Sequence, residues 1–337
     1  MFNYRWNLSD GYPAKGIEKH DKTVFGTFIC GGGSTMGYKL AGYNHLGGVE
    51  IDPKLAQIYK LNHDPKYFYL EDIREFNKRD DLPKELYDLD FLDGSPPCST
   101  FSMAGSREDA WRKEKKFREG QSDQMLDDLV YVYCETIKKL RPKVFLLENV
   151  KGMILGNAKI YTKNIVKIME EAGYKVQIFL LNAASMGVPQ RRERVFIIGT
   201  LLKKKLLTLS FDERSISVGE ATNDLPQYGT KLTDLAKEVW TKTKIGDSAS
   251  KVMKGSWFSR VKLHPDKPSN TITGGATKDM WHWEKPYFIS QEIARRLSSF
   301  PDDYQFNGED SGYICGMSVP PVMTAQIANQ IYKQWLQ

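Results

Sequence analysis

The chain has 337 residues, 41% of them hydrophobic and 27% charged, with a formal net charge of +6. This composition belongs to a folded globular protein and excludes disordered and fibrous classes; the length suits two domains, or one large domain with an insertion. The basic excess is mild, so it permits a nucleic-acid partner without requiring one.

Residues 1–22 are polar and turn-rich and are expected to form a surface extension. Alternation then begins. TVFGTFI (23–29) reads as a buried strand, and the glycines behind it lead to a helix near 34–42. HLGGVEI (45–51) is a second strand and PKLAQIYKLN a helix. A third strand is expected before Asp72. YDLDFLD (87–93) is the next clear strand, and QMLDDLVYVYCETIKKL (124–140) has apolar residues at helical spacing. KVFLLEN (143–149) is a fifth strand, followed by a helix near 160–172. YKVQIFLLN (174–182) and RVFIIGTLL (194–202) are two more apolar strands. Strands alternating with helices predict an α/β fold with a doubly wound, mostly parallel sheet.

After residue 203 the periodicity weakens and Lys, Thr, Ser and Gly accumulate, with Trp240 and Trp257 among them. This predicts a smaller, irregular inserted domain over 203–284. Residues 285–337 return to the first domain. They carry a helix in FISQEIARRLSS (288–299), capped by Ser290, and an amphipathic helix in PPVMTAQIANQIYKQWL. The four cysteines, Cys30, Cys98, Cys134 and Cys315, are scattered without a Cys-x-x-Cys pair. That spacing argues against a disulfide framework or a zinc site and for a reducing compartment. The first residues lack the apolar stretch of a signal peptide, and no apolar run approaches the roughly 20 residues of a membrane span.

Several stretches fall at expected strand ends. In TFICGGGSTMG (27–37) glycines let the backbone approach a ligand at a helix N-terminus. Glu50 ends the next strand, where a carboxylate can bond ribose hydroxyls. Three adjacent glycines, not GxGxxG, suit an adenosyl group without pyrophosphate at least as well as a dinucleotide; the plain alternative is a tight turn with no ligand. Asp72, after the third strand, could accept from an adenine amino group or simply cap a helix. Cys98, in SPPCSTFSMAG (95–105), follows the fourth strand. A stiff polar turn at the ligand-binding edge presents a nucleophile, whereas most cysteines are buried as small apolar residues. Glu148 ends the fifth strand in LLENV, where partial desolvation favours its neutral form; a surface charge is the commoner fate of a glutamate. QRRERVFII (190–198) puts Arg192 and Arg194 on one face of a strand, able to bind phosphate or a base carbonyl, or else forming a solvated charge cluster with Arg191. The charged stretch 106–121, with Trp111 and Phe117, is either a solvated helix or loop or a lid over a polyanion.

Each signal has such an alternative; their order is the specific feature. Glycine turn, acidic strand end, Pro-Pro-Cys, Glu-Asn-Val and Gln-Arg-Arg-Glu-Arg follow one another along one sheet edge. In SPPCSTFS, LLENVKG, VPQRRERVFIIG, DKPSNTITGG, LSSFPDDYQF and YICGMSVPPVMTAQIANQI the chain resembles the DNA (cytosine-5) methyltransferases, over about residues 23–331. The resemblance implies an S-adenosylmethionine-dependent enzyme on a Rossmann-like fold. Cys98 would attack carbon 6 of the target cytosine. Glu148 would hold ring nitrogen 3, protonated. Arg192 and Arg194 would contact the base's carbonyl oxygen and the catalytic loop. Phe28, Gly31, Gly33, Glu50, Ile51, Asp72, Ile73, Pro97 and Leu129 would line the S-adenosyl-L-methionine site, with Ser318 and Val319 returning to close it.

The segment 203–284, with Trp240, Trp257 and Arg260, would recognise the target. The resemblance further implies double-stranded DNA as partner, base flipping, a restriction endonuclease acting separately, a monomer without metal, and a cytoplasmic place at the DNA of a prokaryote or virus. A transfer-RNA methyltransferase of the same fold and a silent DNA-binding relative are the alternatives. A nicotinamide-dependent dehydrogenase is disfavoured by the absent GxGxxG. The chain departs from the family pattern at Cys30 and Ser95, where glycines are usual, at Ser99 for glutamine, and at Met317, where an asparagine is typical.

Overall fold

A computed structural model of the chain describes residues 2–97, 129–255 and 257–337. Cys98, Ser99, the charged stretch 106–121 and the first residues of the helix expected over 124–140 lie outside them. The expected alternation is present. It runs β1 (Thr23–Thr27), α1 (Gly33–Leu40), β2 (Asn44–Glu50), α2 (Pro53–Asn62), β3 (Tyr67–Leu70), α3 (Ile73–Lys78) and β4 (Phe91–Gly94). It continues with α4 (Leu129–Leu140), β5 (Val144–Val150), α5 (Lys159–Glu171), β6 (Lys175–Asn182) and β7 (Glu193–Thr200). The strand expected over 87–93 is shorter, because Lys84–Tyr87 form a 3-10 turn leading into it.

The seven strands form one sheet in the order β3-β2-β1-β4-β5-β7-β6. β1, β2, β3, β4 and β5 run parallel, and β7 is antiparallel to both neighbours, β5 and β6. Strand order reverses between β1 and β4. Loops leaving the carboxyl ends there part to opposite faces, and the crevice between them is where open α/β sheets bind ligands. The glycine turn follows β1 and the Pro-Pro turn follows β4, so both line that crevice.

Side chains alternate across the sheet, as the two-residue period requires. Val24, Phe91, Val144, Leu146, Phe196 and Ile198 enter one core with α1, α2 and the C-terminal helices. Phe25, Leu92, Phe145, Leu147, Val195 and Ile197 enter the other with α3, α4 and α5. Covering on both faces explains why these strands read as continuous apolar runs.

The rest of the chain comprises α6 (Val218–Thr222), β8 (Tyr228–Lys231), α7 (Asp234–Lys242), β9 (Val261–Lys262), α8 (Ala276–Asp279), β10 (Met280–Trp281) and β11 (Tyr287–Ile289). It closes with α9 (Gln291–Leu297), α10 (Ser311–Met317) and α11 (Pro321–Ile331). A second, four-stranded sheet has the order β8-β11-β10-β9 over a small core of Leu232, Ala236, Val239, Ala249 and Trp281. β11, just past residue 284, pairs with β8 and β10 of this sheet. Ser290 caps α9 by accepting from the Ile293 amide, as expected.

Two expectations are corrected. The first 22 residues are not a surface extension: Phe2 and Trp6 are buried in the main core, and the Trp6 indole donates to the Ser299 carbonyl at 3.0 Å. Their apolar anchors are too widely spaced to show a period. The terminal helix is not one-sided. Every residue of α11 from Pro321 to Ala328 is buried, because α1 packs on the side that the polar residues Thr324 and Gln326 also share.

Candidate active site

The turn after β1 is tightly determined. Phe28 and Cys30 both have left-handed backbone, φ 56° and 49°, a conformation that disfavours side chains and concentrates at functional sites. Cys30 therefore stands where glycine would cost less. Gly32 has φ 78°, and a Cβ there would fall 2.3 Å from Nε2 of His63. Gly33 opens α1; a Cβ on it would lie 2.3 Å from the Val319 carbonyl oxygen and 2.9 Å from the Ser318 Cβ. Ser318 and Val319 thus sit against the glycine turn. Tyr304 joins them, its hydroxyl donating to the Gly31 carbonyl.

Glu50, at the end of β2, is buried. Its Oε2 accepts from the Cys30 amide at 2.8 Å, and its Oε1 from the Ile51 and Asp52 amides at 2.9 Å each. Burial pushes its carboxyl above the ordinary value, and the three amides pull back. Ile51 is exposed beside it. Asp72 caps α3 by accepting from the Arg74 amide and pairs with the Arg74 guanidinium. Ile73 and Leu129 are buried one turn behind, and Pro97 is the last described residue before Cys98. These residues surround the carboxyl ends of β1 to β4.

On the other side of the crevice, Glu148 ends β5 and Arg194 begins β7. The antiparallel register sets Val150 against Arg194 and Glu148 against Phe196, so Glu148 and Arg194 share a face. Arg194 Nε lies 3.1 Å from Glu148 Oε1, with side chains 14% and 10% exposed. Burial lowers the Arg194 guanidinium from its usual value while the Glu148 charge raises it. Asn149 faces oppositely. Its Nδ2 donates to the Pro96 carbonyl at 3.2 Å and its Oδ1 accepts from the Val150 amide, tying Glu-Asn-Val to the Pro-Pro turn that precedes Cys98.

Arg192 is buried, not solvated. Its Nη1 donates to the Ile272 and Gly316 carbonyls at 3.2 and 3.1 Å, and its Nη2 to Gly316 at 3.2 Å. Burial pushes it down to about 9. Gln190 adds bonds to the Ile272 amide and the Leu297 carbonyl, and Arg191 donates its amide to Ser269. VPQRRER, SNTITGG and CGMSV thus meet in one place though far apart in the chain. Among the described residues Arg192 spends its guanidinium on backbone carbonyls, and Arg194 is the one that faces Glu148.

The sequence reading passed over Asp93, Tyr38, Tyr304 and Asn149. Asp93 is buried on the Glu148 face of the sheet and accepts from the Tyr38 hydroxyl at 3.0 Å. A carboxylate ending an apolar strand had singled out Glu148, and LDFLD carried the same signal for Asp93. Among the described residues no group of His, Cys, Asp and Glu could hold a metal ion, and no helix is long and apolar enough to cross a membrane.

A sheet of this order, with a glycine turn after β1, a buried acid after β2 and an acid–guanidinium pair after β5, defines an α/β methyltransferase. The C-5 cytosine-specific DNA methylase profile matches residues 24–333, and the chain belongs to that family; it is a DNA (cytosine-5) methyltransferase. It is 28% identical to the type II methyltransferase M1.HphI of Haemophilus parahaemolyticus, over 92% of this chain and 87% of that one. It is 30% identical to the type II methyltransferase M.FnuDI of Fusobacterium nucleatum, over 90% and 92%. A solved DNA modification methyltransferase encoded within a prophage (E. coli) shares the fold, with TM-score 0.70 and 20% identity over 94% of this chain and all of that one.

Proposed function

We propose that the chain methylates carbon 5 of cytosine within a specific sequence of double-stranded DNA, as the modifying partner of a separate restriction endonuclease. The observation that carries this reading is the Glu148–Arg194 pair at the mouth of the crevice, tied through Asn149 to the turn that leads into Cys98.

S-adenosylmethionine would supply the activated methyl group. The residues present fit it. Glu50 spends three of its lone pairs on backbone amides and keeps capacity on Oε2 for a ribose hydroxyl. Asp72 and Ile73 stand at the next strand end for the adenine, and Phe28, Gly31, Gly33, Ile51, Pro97, Leu129, Ser318 and Val319 close around the site.

Carbon 5 of cytosine is a weak nucleophile. The Cys98 thiolate adds to carbon 6, and Glu148 holds a proton on nitrogen 3, so charge does not build on the ring. The ring is then an enamine whose carbon 5 takes the methyl group. A base removes the carbon 5 proton, and the thiolate leaves. Arg194 holds the base's carbonyl oxygen; Arg192 fixes the loops that frame the pocket. The reacting atoms lie inside the duplex stack, so the base must be flipped out.

The residues between Lys237 and Lys262 are the ones that would meet the DNA. They hold seven basic side chains against two acidic ones. Phe258 is 66% exposed, and the Arg260 guanidinium lies 4.7 Å from the Trp257 ring centroid. The test is transfer of tritiated methyl from S-adenosylmethionine into mixed-sequence duplex DNA, with transfer RNA alongside and Cys98→Ala as control. Label in DNA that vanishes in the variant is expected. Label in RNA alone moves the substrate, and label retained by Cys98→Ala overturns the covalent step.

A further inference from the structure

Asp93 is a buried acid that the mechanism above does not use. It lies on β4, where the register sets it beside Gly26 of β1 and Leu146 of β5. Alternation puts Phe91 and Asp93 on the same face as Leu146 and Glu148, so the two acids are neighbours on adjacent strands, one step apart along the face. The Tyr38 hydroxyl, from α1, donates to Asp93 Oδ1 at 3.0 Å, and Ser34 of the same helix also bonds its carboxyl. Tyr38 is itself fully buried against Phe91. A carboxyl buried this way is costly, and asparagine would fill the space and keep the tyrosine bond without a charge.

The charges around Glu148 say what that carboxyl does. From β7, Arg194 pairs with Glu148 directly, and the charge of Arg192 also reaches it. Both guanidiniums press Glu148 toward its carboxylate form. The role proposed for Glu148 needs the opposite, a proton on that carboxyl while nitrogen 3 is held. A negative charge beside it would keep the proton there. Asp93 faces Glu148 from the neighbouring strand, and each feels the other's charge. Tyr38 and Ser34 face Asp93 from α1, and Tyr133 faces it through the sheet from α4.

We propose that Asp93 is a positioning residue for methyl transfer: braced by Tyr38 and set beside Glu148, its negative charge keeps the proton on Glu148 against the pull of Arg192 and Arg194. The claim rests on the proposed function above. No bond to substrate is made by Asp93, and Tyr38 links its state to the helix that opens at the glycine turn.

The experiment is single-turnover methyl transfer to duplex DNA as a function of pH, for the wild type, Asp93→Asn, Glu148→Gln and the double variant, with the S-adenosylmethionine dissociation constant measured in parallel. Without the Asp93 charge, the alkaline limb of the Asp93→Asn profile is expected to move about one pH unit toward acid, roughly a tenfold loss of rate above the limb. The cofactor constant should stay within about twofold, and the double variant should be no slower than Glu148→Gln, because one residue acts through the other. An equal loss at every pH, or losses that multiply in the double variant, overturns the proposal and leaves Asp93 a packing residue. Should Asp93→Asn fail to fold, Tyr38→Phe gives a second reading. Removing that donor disfavours the Asp93 charge, so the limb should shift the same way, and an unmoved limb overturns the proposal. A wild-type protein inert on DNA is a separate result: it withdraws the parent reading before Asp93 is tested.

Discussion

Glu148 and Arg194 meet across the antiparallel β5–β7 pair at 3.1 Å, nearly shielded from water, at the point where both strands reach the ligand-binding edge. Removing one partner leaves the other charged and buried, which costs about 3–5 kcal/mol. Arg194→Ala should therefore lose stability of that order as well as activity. Arg194→Met with Glu148→Gln should regain most of the stability and none of the activity. Thermal unfolding and methylation assays on the three proteins separate the two effects; a double variant as unstable as Arg194→Ala would show that the pair is not what Arg194 contributes to the fold.

Asp93 makes stability depend on pH in a definite direction. Burial, aided by the Glu148 charge and opposed by the Tyr38 and Ser34 hydroxyls, pushes its carboxyl up to about 7 from an ordinary 3.8. The folded state then holds the proton more tightly than the unfolded state. The stability this contributes is complete below 3.8 and is lost as pH rises to about 7. Asp93→Asn has no such loss. Its melting temperature relative to the wild type should climb by roughly 5 °C between pH 4.5 and pH 8. A constant difference across that range would mean that Asp93 titrates normally.

Much of this was legible in the sequence, and the failures have causes. Strands buried on both faces are continuous apolar runs, so β1, β2, β5, β6 and β7 stood out. β3 is YFYL, half-buried at the sheet edge, and only its place before Asp72 announced it. Glu50 and Glu148 were found because an acid closes an apolar run. Asp93 closes one too, but its meaning depends on Tyr38, 55 residues earlier, which no local pattern reveals. Arg192 reads like Arg194 in the sequence; only the fold, by bringing Ile272 and Gly316 to it, shows that it bonds backbone.

The N-terminal segment was misread because its anchors have no period, and this too can be measured. Trp6 is buried, with its indole N–H bonded to Ser299. Trp6→Ala should cost about 3–5 kcal/mol, the usual penalty for truncating a buried large aromatic residue. Denaturant titration gives the value, and a cost below about 1 kcal/mol would return the segment to the status of a surface extension.

The glycine turn should tolerate no side chain at Gly33. An added Cβ meets the Val319 carbonyl oxygen at 2.3 Å, and a backbone atom cannot swing aside as a side-chain tip would. Gly33→Ala must then part α1 from the 318–319 segment, the two walls assigned to the cofactor. Calorimetric titration with S-adenosylmethionine should show binding weakened at least tenfold, with a smaller fall in melting temperature. Unchanged binding would remove Ser318 and Val319 from the site.

Arg260 and Phe258 should act differently on DNA binding. Arg260 lies over the Trp257 ring, in the stretch 237–262 that holds most of the basic excess. A guanidinium that neutralises one phosphate releases counterions whatever the bases are. Arg260→Ala should thus weaken all duplexes alike and reduce the slope of log affinity against log salt by about one. Phe258 is uncharged and 66% exposed, so it can contribute only through contact with base edges or steps. Phe258→Ala should leave the salt slope intact and lower discrimination between the methylated sequence and random duplex by about 1–3 kcal/mol. Fluorescence anisotropy across a salt series measures both. A slope unchanged by Arg260→Ala, with discrimination unchanged by Phe258→Ala, would move the DNA interface away from this part of the small domain.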